Sequence, residues 1–241
     1  MDKIIVNHKE LQILFGFSSR FKYLNLRINS YGQIEILANL FMKCSRENVF
    51  DFIKNNASFI EEQLDLLSKT DLPTFKNGTS LQLLGKKYSV YRSKRYKKII
   101  KVGNDIVIPS KFSLYDIKTE LEKVLLDVIK EYIDYYAIHY NFEVPRYCLT
   151  SSDRFWGSCI YKETGNEWLE FNIALVFLPT EFIDYIVLHE LCHLKHRKHG
   201  KLFWNEVEKI MPDAKKRDKA LNSFCLNWYL ERLGIKRLRC Y

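Results

Sequence analysis

Hydrophobic positions alternate at short range through the first 110 residues and recur at helical spacing through most of the rest. LQILFGF (11–17), KYLNLRI (22–28) and QIEILAN (33–39) read as strands. The last two are joined by NSYG, where Gly32 is free to take a positive φ. SRENVFDFIKNNASFIEEQLDLL (45–67) then places Val49, Ile53, Phe59 or Ile60, Gln63 and Leu67 at roughly helical steps, with Ser45 as N-cap. LQLLGKKYSVY (81–91) and KKIIKVGNDIVIP (97–109) return to strand, the second turning at Gly103–Asn104–Asp105. Pro109–Ser110 marks the expected boundary between a β-rich region, 1–110, with one inserted helix, and a second region, 111–241.

The second region reads mainly as helix. Residues 113–140 set Leu114, Ile117, Leu121, Val124, Val128, Tyr132 and Tyr135 on one face at three- and four-residue steps. Residues 148–179 carry strand-like flanks around a turn at Thr164–Gly165, which predicts a hairpin or short antiparallel sheet. Pro179–Thr180–Glu181 opens a further helix, with Thr180 as the natural cap and Glu181 at the positive end of the dipole. LFWNEVEKIM (202–211) and AKKRDKALNSFCLNWYLERL (214–233) follow as amphipathic segments, ending near Gly234. No internal repeat or low-complexity linker is visible. The predicted class is α+β.

Composition narrows this little. The chain has 241 residues, 47% apolar and 28% charged, enough for one large domain or two small ones and ordinary for a globular protein. Asp2, His8 and Glu10 interrupt the stretch a signal peptide needs, and no apolar run approaches a membrane span. Six cysteines, Cys44, Cys148, Cys159, Cys192, Cys225 and Cys240, form no C-x-x-C pair. A cytoplasmic protein with reduced thiols is expected. The net charge of +9 clusters at 92–98, 195–201, 215–219 and 236–239. Such runs suit nucleic acid or a polyphosphate, but a solvated surface produces them more often.

The chemistry concentrates in HELCHLKHRKHG (189–200), which holds four of the six histidines. His189, Glu190 and His193 satisfy H-E-x-x-H. Positions i and i+4 share a helix face, so His189 and His193 can reach one ion, and Glu190 beside them can take a proton from water. A surface helix with scattered polar histidines is the bland alternative. Against it, the preceding IDYIVL (183–188) is apolar and buries the helix, where unpartnered histidines are costly. A catalytic zinc takes three protein ligands and keeps one position open. His196 and His199 compete for the third. On a continuing helix His196 would point past the ion, whereas His199 can join only if the chain turns back near 196–198, as Gly200 suggests. His199 is the chosen ligand, with Glu206, Glu208 and Asp213 in reserve. Trp156–Gly157 reads as packing plus a turn, Phe203 and Trp204 as core, and Asn172 as a strand residue bonding nearby backbone.

RFWGSC (154–159), LEFNIALVFLP (169–179), residues 183–204 and MPD (211–213) together resemble the YgjP-like metallopeptidase family, relatives of the SprT and WLM zinc proteases. The resemblance covers 110–241 strongly and the first half more loosely, through 18–36 and 84–90. It implies a zincin-like catalytic part, Zn²⁺ on His189, His193 and His199, Glu190 as catalytic base, and a peptide or protein substrate. Two departures stand out. The family has arginine directly before W-G-S-C, whereas here Phe155 separates Arg154 from it, and the third histidine is flanked by Lys198 and Gly200. Arg154 and His196 are candidates for contacting substrate. Two alternatives accompany this reading: a metal-dependent nucleoside triphosphate pyrophosphatase, and a nucleic-acid-associated module with structural zinc.

Overall fold

The structure is a computed structural model and describes residues 2–6, 9–17, 22–39, 45–161 and 167–235. His8, Cys44, Cys240, the turn at Thr164–Gly165 and the basic run 236–239 lie outside the described residues. Contacts divide the chain into two units, one reaching Leu72 and one spanning Pro73–Gly234.

In the first unit, β1 (Asp2–Val6) pairs antiparallel with β2 (Lys9–Phe17), and β3 (Asn25–Ile28) antiparallel with β4 (Ile34–Ala38). β2 runs parallel to β4, so the order is β1-β2-β4-β3. Strand alternation sends Ile4, Val6, Ile13, Ile28, Ile34 and Ile36 into one core. They meet Val49 and Ile53 of α1 (Arg46–Asn55) and Ile60 of α2 (Ala57–Lys69). Ser45 caps α1, accepting the Asn48 N–H at 3.1 Å. The one helix expected over 45–67 is two. Asn56 parts them, and its side chain donates to the Phe52 carbonyl at 2.8 Å, competing with the helical ladder.

The second unit begins with β5 (Thr79–Leu83), β6 (Lys86–Ser93), β7 (Ile100–Val102) and β8 (Asp105–Pro109). Their order is β5-β6-β8-β7, with β6 parallel to β8 and the outer pairs antiparallel. This repeats the topology of β1–β4, a correspondence that the residue pattern does not reveal. Leu81, Ile106 and Ile108 of this sheet line a cavity of about 280 Å³ with Ile117 and Leu121 of α3 (Leu114–Tyr140). That shared packing is why contacts group β5–β8 with the helices, although the texture of the chain changes after Pro109.

α3 starts at a capping box, Ser113 with Asp116, and ends at Asn141 in the left-handed region. Its buried stripe is Ile117, Leu121, Leu125, Ile129, Ile133 and Tyr136. The expected stripe is corrected here, since Leu114, Val124 and Tyr135 are exposed. Steps of four advance about 40° each around a helix, so the buried stripe winds. Winding suits a long helix that meets β5–β8 first and the helix carrying His189 and His193 later.

β9 (Arg146–Thr150), β10 (Gly157–Ile160) and β11 (Trp168–Asn172) form a small sheet of order β10-β11-β9. The expected antiparallel pair, β10 with β11, is present, and β9 adds to β11 in parallel, so the sheet is mixed. A buried 3-10 helix, Ile173–Phe177, leads into α4 (Thr180–His193). Pro179, not Thr180, occupies the N-cap of α4, because proline's fixed φ serves the turn into the helix. α5 (Lys201–Ile210), α6 (Ala214–Leu221) and α7 (Leu226–Arg232) complete the unit. α6 and α7 replace the single segment expected over 214–233. No helix among the described residues is long and apolar enough to cross a membrane.

Candidate metal centre

α4 is apolar on nearly all sides because it packs against β10, α3, α5 and α6 at once. Its last turn closes with the Leu194 N–H donating to the Leu191 carbonyl at 3.1 Å. The Lys195 and His196 N–H groups both donate to the Cys192 carbonyl, at 3.1 and 2.9 Å, and fold the chain back. The helix therefore ends at His193, earlier than the Gly200 signal suggested. Gly200 is instead the N-cap of α5, in an extended conformation.

This reversal returns His199 to α4. Its Nε2 lies 2.9 Å from Nε2 of His189 and 3.0 Å from that of His193, and those two are 3.2 Å apart. His189 and His193 are buried, while His199 is exposed at the mouth of the group. Phe203 lies against all three imidazoles, with ring centroids 4.9, 4.6 and 4.9 Å away. Trp204 flanks His189 and His199. The sequence reading gave Phe203 and Trp204 only a core role; the spacing of Phe203 four residues after His199 was the signal for more.

Burial, and then the neighbouring imidazoles, holds His189 down at about 3, so its ring is neutral at physiological pH. Burial also lowers His193. Three imidazoles with converging nitrogens form a donor set for a cation. A tetrahedral ion with bonds of about 2.0–2.1 Å needs nitrogens roughly 3.4 Å apart, close to the spacing seen. The donor set fits a metal. Each buried ring is also oriented from behind: His189 Nδ1 lies 3.0 Å from the Tyr185 hydroxyl, and His193 Nδ1 lies 2.9 Å from the His196 carbonyl.

Glu190 lies in the seam between α4 and β10, against Gly157, and is only 3% exposed. It accepts the Cys159 backbone N–H, while its Oε2 is buried with no hydrogen-bond partner among the described residues. Burial pushes its carboxyl up to about 8. Gly157 makes this seam possible. A Cβ there would stand 2.7 Å from Glu190 Oε1 and 2.7 Å from Ile186 Cγ2. Its role is close approach of strand to helix, where the sequence suggested a turn. Trp156 packs edge-on against Tyr229, as expected of packing. Asn172 is fully buried; its amide donates to the Ser152 and Phe155 carbonyls at 2.6 and 3.0 Å, and its oxygen accepts the Ala174 N–H. It thereby holds the loop that delivers Trp156 and Gly157.

Residues 22–224 match the family described as YgjP-like, metallopeptidase domain. The chain belongs to this family. It is a metallopeptidase, and its activity depends on a metal ion. Among solved structures it is similar to the crystal structure of the metallopeptidase zymogen of Pyrococcus abyssi abylysin. The identity is 24%, over 40% of this chain and 90% of that one, with a TM-score of 0.32. A search of curated proteins found no match.

The remaining site candidates divide clearly. His196 lies outside the nitrogen cluster, with Nε2 2.7 Å from Glu206, which also pairs with Lys195 at 2.8 Å. Glu208 pairs with Lys215 and Asp213 with Arg217, so none of the reserve acids joins the three imidazoles. Arg154 is exposed two residues before Trp156. Burial pushes the Cys159 thiol up to about 11, which does not suit a nucleophile.

Proposed function

We propose that this YgjP-like metallopeptidase is a zinc enzyme in which His189, His193 and His199 hold Zn²⁺ and Glu190 is the general base for peptide-bond hydrolysis. The observation that carries the proposal is the convergence of three imidazole nitrogens within 3.2 Å of one another, next to a buried glutamate with one unpartnered oxygen. When bound, zinc supplies a Lewis acid that polarises the peptide carbonyl and makes water easier to deprotonate. Glu190 takes that proton on Oε2 and later returns it to the departing amine. Its apolar surroundings raise its proton affinity, which favours taking the proton up. The Cys159 N–H fixes the other oxygen, so the carboxylate does not rotate away. Phe203 walls one side of the imidazoles and limits water there. Exposed Arg154 is available to contact a peptide.

A peptide is favoured over a polyphosphate or nucleic acid because much of the basic surface near the site is already neutralised. Lys195 pairs with Glu206, Arg197 with Glu167 at 3.4 Å, Lys215 with Glu208 at 2.8 Å, and Arg217 with Asp184 and Asp213. A cytoplasmic location belongs to the same proposal; Cys148, Cys159 and Cys192 are free thiols.

Glu190→Gln tests the division of roles. It should keep close to one zinc per chain while hydrolysis of casein falls by roughly 10²–10⁴-fold, the usual worth of a positioned base. Loss of zinc from this variant would make Glu190 a ligand. UTP assayed alongside, with and without chelator, decides the substrate class: chelator-sensitive turnover of UTP but not casein would overturn the peptide reading.

A further inference from the structure

The run KKRDK (215–219) reads in the sequence as a basic surface patch, yet one of its residues turns inward. Asp218 Oδ1 accepts the Tyr185 hydroxyl at 2.8 Å. Tyr185 is fully buried, and the same hydroxyl oxygen lies 3.0 Å from His189 Nδ1. α6 is held in this register by Arg217, which donates to Asp184 at 3.1 Å and to the Glu181 carbonyl at 2.9 Å on α4. Asp218 is thus two hydrogen bonds behind the first histidine of the cluster.

Counting protons gives this chain of contacts a direction. A tyrosine hydroxyl has one proton, and a carboxylate oxygen can only accept it. With that proton committed to Asp218, the Tyr185 oxygen can meet His189 Nδ1 only as an acceptor. Nδ1 must then carry the ring proton, which leaves the lone pair on Nε2. Nε2 is the atom that faces the other two imidazoles, 3.2 Å from His193 and 2.9 Å from His199. We propose that Asp218, acting through Tyr185, is a positioning residue that fixes His189 in the tautomer able to bind metal. The proposal rests on the metal site proposed above. His193 reaches the same state by a different route: its Nδ1 faces the His196 backbone carbonyl, itself only an acceptor. The tautomer of His193 is thus fixed by main chain, and that of His189 by two side chains which mutation can remove.

Removing Asp218 frees the hydroxyl to donate to Nδ1, which favours the proton on Nε2 and blocks the metal-facing nitrogen. Metal-free protein labelled with ¹⁵N-histidine reports this directly by long-range ¹H–¹⁵N correlation. In the wild type His189 should show a protonated Nδ1 and a bare Nε2; in Asp218→Ala the proton should move toward Nε2. Zinc affinity, measured by competition with a chelating dye, should weaken about 10- to 100-fold in Asp218→Ala and in Tyr185→Phe, the usual cost of losing a ligand's supporting partner. Asp218→Asn, whose amide oxygen still accepts, should recover most of the loss. Adding Asp218→Ala to Tyr185→Phe should cost nothing more, because the intermediary is already gone. A wild-type spectrum with the proton on Nε2, unchanged affinity in Asp218→Ala, or independent addition of the two losses would each overturn the proposal. If Asp218→Ala does not fold, the wild-type spectrum and the Asp218→Asn and Tyr185→Phe affinities still decide it. Failure of the zinc site itself would be distinct: His189→Ala would then bind zinc as the wild type does, whereas the tautomer is read without metal.

Discussion

The sheets β1–β4 and β5–β8 share strand order and pairing directions but are put to different uses. The first closes on its own unit, with six isoleucine and valine side chains packed against α1 and α2. The second reaches toward the catalytic elements through the tip of its first hairpin. There Leu84 donates its N–H to the Val176 carbonyl at 2.9 Å, and Gly85 lies against Pro179, the N-cap of α4. Leu84 and Gly85 both have positive φ, the geometry of a tight two-residue turn. The same topology therefore makes a self-contained core in one place and a buttress for α4, the helix of His189 and His193, in the other. What differs is the chemistry at a hairpin tip, not the sheet.

Large-to-small substitution in the first core should break the comparison most strongly. Ile53 is fully buried between sheet and helix, and Ile53→Ala should destabilise the first unit by about 2–5 kcal/mol. Zinc affinity of the second unit should stay unchanged, as chemical denaturation monitored beside a zinc titration would show. Coupled loss of both would mean that the centre depends on the first core.

A smaller effect separates two glycines of the second sheet. Gly103, in the β7–β8 turn, has φ +59 and open space where a Cβ would stand, so Gly103→Ala should cost only the left-handed conformation, about 1–2 kcal/mol. Gly85 has φ +77, and a Cβ would sit 3.1 Å from Pro179 Cα. Gly85→Ala should therefore cost more than Gly103→Ala and alone should lower peptidase activity. Equal thermal shifts, with activity intact in both, would remove the buttressing role of the hairpin tip.

Local pattern made much of this legible, because strands, capped helices and H-E-x-x-H are short-range signals. Ser45 capped its helix as read, and the apolar IDYIVL stretch correctly announced a buried helix around His189. The place of His199 beside His189 and His193 also followed from asking where the helix stops, although the stop came at His193. Features made by distant chain segments were not legible. The parallel pairings β2–β4 and β6–β8 join strands that are not consecutive. The winding stripe of α3 depends on a change of packing partner along its length. Asp218 looked like one acid in a basic run, since nothing local reveals that it accepts the hydroxyl of Tyr185, 33 residues away.

Zinc titration into His199→Ala and His196→Ala is the most direct test of the proposed centre. His199→Ala removes one of the three converging nitrogens and should lose affinity beyond the roughly 10–100-fold that a supporting partner is worth. His196→Ala removes the contact with Glu206 but keeps the backbone carbonyl that orients His193, and should bind zinc within about tenfold of the wild type. Failure of His196→Ala to bind, with normal binding by His199→Ala, would contradict the assignment of His199 as the third ligand.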